Sequence, residues 1–210
     1  MIAIINGYGV PKNILTDTNY NSYLGQVFNY LWTRYKNKRL TVILCGGAGD
    51  MIAPYKRTEA GEMARWFTPR IKQLKLEKYW QLQKKDQGLS VLENMLACKK
   101  SLVNQQALFF CEATREKKVK ILAEKILGSK VKVIPIEFDL SPARYDLAVR
   151  IKLEQEDLVY SLRALKDPIW RKKLALVNKE KIRLLRKLSP RQRVQMIDKL
   201  ARKLRQELIR

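Results

Sequence analysis

The sequence predicts an α/β fold, a parallel sheet of about five strands with helices on both faces, followed by C-terminal amphipathic helices. Two observations predict it. Short apolar runs alternate with helical patterns through the first two-thirds of the chain, and each helical pattern joins two runs at crossover length. From about residue 150 the apolar positions instead recur at helical spacing in a strongly basic background.

Taken in order, strands are expected at Ile2–Asn6, Leu40–Cys45, Gln106–Cys111 and Val131–Ile136, with a shorter one near Gln73–Glu77. Helices are expected at Asn21–Tyr35, Thr58–Phe67, Val91–Leu102 and Thr114–Leu127. In the basic end, Ile151, Leu158, Val159, Leu162 and Leu165 share one helical face, and Asp167-Pro168 breaks the pattern. Trp170, Leu174, Val177, Leu184, Leu185 and Leu188 mark a second helix. Ser189 as N-cap, Pro190 at the first position and Gln192 completing a capping box open a third, striped by Val194, Ile197, Leu200, Leu204 and Leu208. The expected division is an α/β domain over residues 1–145 and a basic helical extension over 146–210.

Charge supports this division. The 210 residues carry 43 Lys plus Arg against 20 Asp plus Glu, a net +23. Residues 161–210 hold 17 of the cations and 4 of the acids, so over half the excess lies in the last quarter. His is absent, which excludes a Ser-His-Asp triad, a Cys-His dyad and any histidine zinc ligand. Cys45, Cys98 and Cys111 have no CxxC spacing and are expected to be reduced and buried. The start, Met1–Gly9, has no basic n-region, and no apolar run approaches the about 20 residues that span a bilayer. A cytoplasmic protein without a transmembrane segment is therefore expected.

Ligands of an open parallel sheet gather at the carboxyl ends of its strands. There the first strand runs into Asn6-Gly7-Tyr8-Gly9 and the second into Gly46-Gly47-Ala48-Gly49-Asp50, turns where backbone can approach a ligand. Arg57-Thr58-Glu59-Ala60 then opens a helix whose amides can hold an anion, and Ser90-Val91-Leu92-Glu93-Asn94 opens another. Helix capping and the helix dipole explain Thr58 and Glu59, and likewise Ser90 and Glu93, equally well.

In this order, a Gly turn, a strand ending in Gly-Gly, Thr-Glu-Ala at a helix start, Ser-x-x-Glu-Asn and a late strand running to Arg115 resemble the YdcF-like family, domain of unknown function 218. The resemblance covers about residues 1–140. It implies a Rossmann-like fold, a pocket built from these loops and, from one relative, S-adenosylmethionine as a candidate ligand. Gly46 and Gly47 match the second-strand glycines, Glu59 the first acidic position, Glu93 and Asn94 the acid–amide pair, and Arg115 the late arginine. Val91, Glu112 and Tyr23 stand where the family usually has threonine, histidine and arginine, which leaves open an altered ligand or a copy with little activity.

The leading expectation is a protein binding a small, nucleotide-like ligand at the carboxyl edge, its status as an enzyme left open. Glu59 and Glu93 are the candidate acid/base or ribose-binding groups; Gly7, Gly46, Gly47, Asn94 and Arg115 are the candidate ligand-binding residues. Glu59, Glu93 and Asp50 also form an oxygen set suited to Mg²⁺, but no spacing fixes them at coordination distance and no metal is assigned. The alternative expectation is a nucleic-acid or ribosome-associated protein acting through residues 161–210, with strongly salt-dependent affinity for a polyanion. Contact of the leucine stripes with an anionic membrane is a third. The sequence sets no oligomeric state.

Overall fold

A computed structural model describes residues 1–102, 105–138 and 147–209. The chain forms two compact units, Met1–Asp139 and Leu140–Arg210. The boundary expected at 145/146 lies outside the described residues.

The first unit is the expected α/β sheet. Five strands, β1 (Ile2–Asn6), β2 (Leu40–Cys45), β3 (Trp80–Lys85), β4 (Ala107–Glu112) and β5 (Val131–Ile136), pair in the order β3-β2-β1-β4-β5, all parallel. The connecting helices are α1 (Thr18–Tyr35), α2 (Glu59–Gln73), α3 (Val91–Lys99) and α4 (Glu116–Leu127). β1 is buried throughout, as a central parallel strand covered on both faces must be. Alternation divides its residues between the two layers. Ala3 and Ile5 join Val42, Leu44 and Phe110 in the core beneath α1 and α2, with Tyr23, Leu24, Val27, Met63 and Phe67. On the opposite face the Cys45 thiol of β2 lies 3.2 Å from the Cys98 thiol of α3. All three cysteines are free and buried.

The third strand is a correction. The stretch expected near Gln73–Glu77 is the last residue of α2 and the turn that follows it, and the strand is Trp80–Lys85. Lys75 has φ +54°, and Leu76 N–H reaches back to Ile71 O at 2.9 Å, closing the helix with its side chain buried. The apolar alternation of Leu74 and Leu76 thus belongs to a helix stop. β3 is an edge strand of polar composition, anchored by buried Trp80, whose indole N–H donates to Tyr35 O at 3.1 Å. Smaller differences lie at helix starts. α1 starts at Thr18, three residues before the expected start, with Asp17 as its cap accepting from Tyr20 N–H, and a 3₁₀ turn, Ala113–Arg115, precedes α4.

The second unit contains α5 (Leu147–Lys166), α6 (Pro168–Arg186) and α7 (Pro190–Ile209). Asp167 caps α6, accepting from Ile169 N–H at 2.8 Å and Trp170 N–H at 3.1 Å. Ser189 N–H donates to Gln192 Oε1 at 2.9 Å and Ser189 Oγ accepts from Gln192 N–H, the expected capping box. Ala164, Trp170, Leu174, Leu185 and Leu204 are buried, Tyr160 stacks parallel to Trp170, and Arg205 pairs with Asp157. The side chains of Val194 and Leu208 lie outside the described residues. Among those described, no helix is long and apolar enough to cross a membrane.

Candidate functional site

From central β1 the chain proceeds through β2 and β3 on one side, then crosses to β4 and β5 on the other. Such a reversal opens a crevice beyond the carboxyl ends of the strands. Gly7 follows β1, Gly46 and Gly47 follow β2, and Arg115 follows β4.

Glu59 lies at the start of α2, and the local bonding fixes its direction. Thr58 Oγ1 accepts from Gly61 N–H at 3.0 Å, while Glu59 and Ala60 N–H donate to the carbonyls of Gly47 and Gly46, each at 3.0 Å. The expected anion site on these amides is therefore corrected, because the first three are satisfied within the turn. The Glu59 side chain lies across the glycines. A Cβ on Gly46, whose φ is +144°, would sit 2.5 Å from Glu59 Cβ, and one on Gly7 would sit 2.8 Å from it. The room these glycines make, expected for a ligand, is filled by Glu59 itself. Burial pushes the Glu59 carboxyl up to about 7, although the Arg115 charge and a hydrogen bond from Gly9 N–H act the other way.

A network holds the end of β1 beneath this carboxyl. Gly7 N–H donates to Cys45 O at 2.9 Å, and Gly7 O accepts from Asn6 Nδ2 at 2.8 Å and Arg115 Nη1 at 3.1 Å. Buried Asn94 of α3 donates from Nδ2 to Asn6 Oδ1 at 2.8 Å. Its Oδ1 has no hydrogen-bond partner among the described residues. Tyr23 is fully buried, and its hydroxyl donates to Asn6 O at 2.9 Å. Glu112 accepts from Thr114 Oγ1 at 2.9 Å and lies 3.7 Å from Arg115 Nε.

Glu93 has a different engagement. Its Oε2 accepts from Leu89 N–H at 2.8 Å and Ser90 Oγ at 3.0 Å, while Ser90 Oγ accepts from Glu93 N–H at 3.2 Å. Ser90 thus caps α3, and the Glu93 carboxylate closes on the cap hydroxyl and on the amide before it, not on the Ser90 amide that a capping box would use. Gly47 N–H donates to Gly88 O at 2.6 Å, tying that loop to the β2 turn. The fold thus brings Gly7, Gly46, Glu59, Asn94 and Arg115 into one network and sets Gly47 beside it, whereas the Glu93 carboxylate is directed into its own helix start.

Asp50 is likewise committed. Arg57 binds it through Nη2 to Oδ1 at 2.8 Å and Nε to Oδ2 at 3.0 Å, and Ile52 N–H adds a bond at 3.0 Å. Both oxygens of the considered Mg²⁺ ligand are therefore in use. Among the described residues no group of three or more Cys, Asp and Glu is placed to hold a metal ion.

Asn6 and the aromatic wall of the turn join the site beyond the residues expected from the sequence. Tyr8 stacks on Tyr20 at 4.1 Å, and the Tyr20 hydroxyl accepts from Tyr8 N–H and donates to Gly9 O. The available signals were a polar residue closing an apolar strand and an aromatic between two glycines. A separate groove of about 400 Å³ lies toward the C-terminal end of α2, lined by Phe28, Trp32, Trp66, Arg70 and Leu74. It contains none of the predicted site residues. No family model, curated protein or solved structure matches the chain.

Proposed function

We propose that the protein binds a small, polar, nucleotide-like ligand at the carboxyl edge of its sheet, with Glu59 as the contacting group. The observation that carries this is the half-buried Glu59 carboxyl, held against the Gly7 and Gly46 turns with its pKa raised to about 7. Such a group accepts hydrogen bonds from ribose hydroxyls when ionised and donates one when protonated. It also has both protonation states near neutral pH, the property a general acid or base requires. Arg115 and Asn94 act through position, fixing the β1 turn through Gly7 and Asn6. Glu93 orders the β3–α3 loop beside Gly47.

The likeness to YdcF-like proteins makes S-adenosylmethionine the first ligand to test. The residues fit it in part: Glu59 suits a ribose diol or an ammonium group, while Arg115 Nη1 is already engaged by Gly7 O. The test is thermal unfolding of the full chain with S-adenosylmethionine, S-adenosylhomocysteine and adenosine, on wild type and Glu59→Gln. A rise in melting temperature for wild type that is lost or much reduced in the variant is expected. No rise with any of the three, or an equal rise in both proteins, would overturn the proposal.

A further inference from the structure

The solvent-facing side of α6 carries an unusual residue set. At about 100° per residue, Ile169, Lys172, Lys173, Leu176, Lys179, Glu180, Arg183 and Lys187 fall within about 60° of Leu176, with Lys187 just past the helix end. Trp170, Leu174 and Leu185 are buried on the other side. This arc presents five cations against one carboxylate, and that carboxylate is paired with Arg183 at 2.6 Å. Lys172, Lys173 and Lys179 are exposed and make no ion pair among the described residues. Two large aliphatics lie among them: Ile169 is 70% exposed and Leu176 63%, two turns apart.

We propose that this face of α6 docks on a bilayer surface bearing anionic lipids. Charge complementarity supplies the attraction, since clustered lysines near an anionic leaflet each add to binding. The aliphatics decide between polyanions. A nucleic-acid backbone offers Ile169 and Leu176 nothing apolar, whereas the headgroup–acyl boundary takes aliphatic side chains while lysine stems extend beside them to the phosphates. The association is peripheral, since no described helix is long and apolar enough to cross a membrane.

The test is co-sedimentation of the full chain with vesicles of phosphatidylcholine containing roughly one-third phosphatidylserine, against pure phosphatidylcholine and against single-stranded RNA, at physiological salt. Wild type is expected to sediment with the anionic vesicles and not the neutral ones. Lys172→Gln/Lys173→Gln/Lys179→Gln is expected to weaken vesicle binding by about fivefold per lysine, on the order of 100-fold in all. Ile169→Ser/Leu176→Ser is expected to weaken it about tenfold or more and leave any RNA binding unchanged. Far-ultraviolet circular dichroism verifies helicity in each variant, with Leu176→Ser alone as the milder substitution. Failure of wild type to sediment, equal binding to neutral vesicles, or full vesicle binding by helical aliphatic variants would overturn the proposal; RNA binding without vesicle binding would assign the face to nucleic acid instead.

Discussion

Replacing Glu59 by Gln should change how stability depends on pH. The folded protein raises this carboxyl from an ordinary 4.5 to about 7. A raised carboxyl pKa means that the folded state binds the proton more tightly than the unfolded chain does. Between pH 4.5 and 7 folding therefore takes up protons, and this group makes stability fall as pH rises through that window, with no further loss above it. At about 1.4 kcal/mol per pH unit, the full span corresponds to about 3 kcal/mol. Glutamine keeps the shape and can still accept from Gly9 N–H, but has no proton to lose. Urea unfolding of both proteins, followed by tryptophan fluorescence from pH 5 to 8, reads the difference directly, because the other carboxylates are common to both. The variant should gain about 2–3 kcal/mol on wild type between pH 5 and 7, then run parallel to it. A gap constant within about 0.5 kcal/mol across the whole range would refute the reasoning.

Three further outcomes follow from the same geometry. Gly46→Ala should lower stability by about 3 kcal/mol in urea titration, because its Cβ would press on Glu59 Cβ at a positive φ; Gly25→Ala on α1, where a Cβ meets nothing within 4 Å, should instead raise it by about 0.5–1 kcal/mol. Arg115→Ala removes a cation that lowers the Glu59 pKa, so in ¹³C titrations the Glu59 midpoint should move above its wild-type value. Glu93→Ala should cost about 1 kcal/mol of unfolding free energy through loss of the bonds from Leu89 N–H and Ser90 Oγ, whereas Glu93→Gln, whose amide oxygen can accept in their place, should stay within about 0.5 kcal/mol of wild type.

Much of this architecture is legible in the sequence where burial leaves an apolar run. β1, β2, β4 and β5 read as short stretches of Ile, Leu, Val and Phe between helical patterns, and β1 and β2 run directly into the glycine turns. β3 is not legible in this way. At the sheet edge its Gln and Lys side chains need no apolar cover, so the strand has the composition of a loop, while Leu74 and Leu76 mimic strand alternation from a helix end. The meeting of Glu59 and Arg115 follows from their places after strands, since a parallel sheet brings all such places to one edge. Which side chain fills the space over Gly7 and Gly46 depends on the entry angle of α2. That angle is set by bonds from Glu59 and Ala60 to the glycine carbonyls, which the sequence alone does not display. Glu93 satisfies the capping pattern and a binding pattern with the same four residues, and only its bonds to Leu89 and Ser90 distinguish the two.

The central claim is that the glycine turns hold a carboxylic acid that changes protonation near neutrality. Its most direct measurement is a ¹³C titration of the Glu59 side-chain carboxyl in the wild-type protein, with the resonance assigned by its loss in Glu59→Gln. A midpoint near 7 is predicted. A midpoint in the ordinary glutamate range, at about 4.3, would contradict the account.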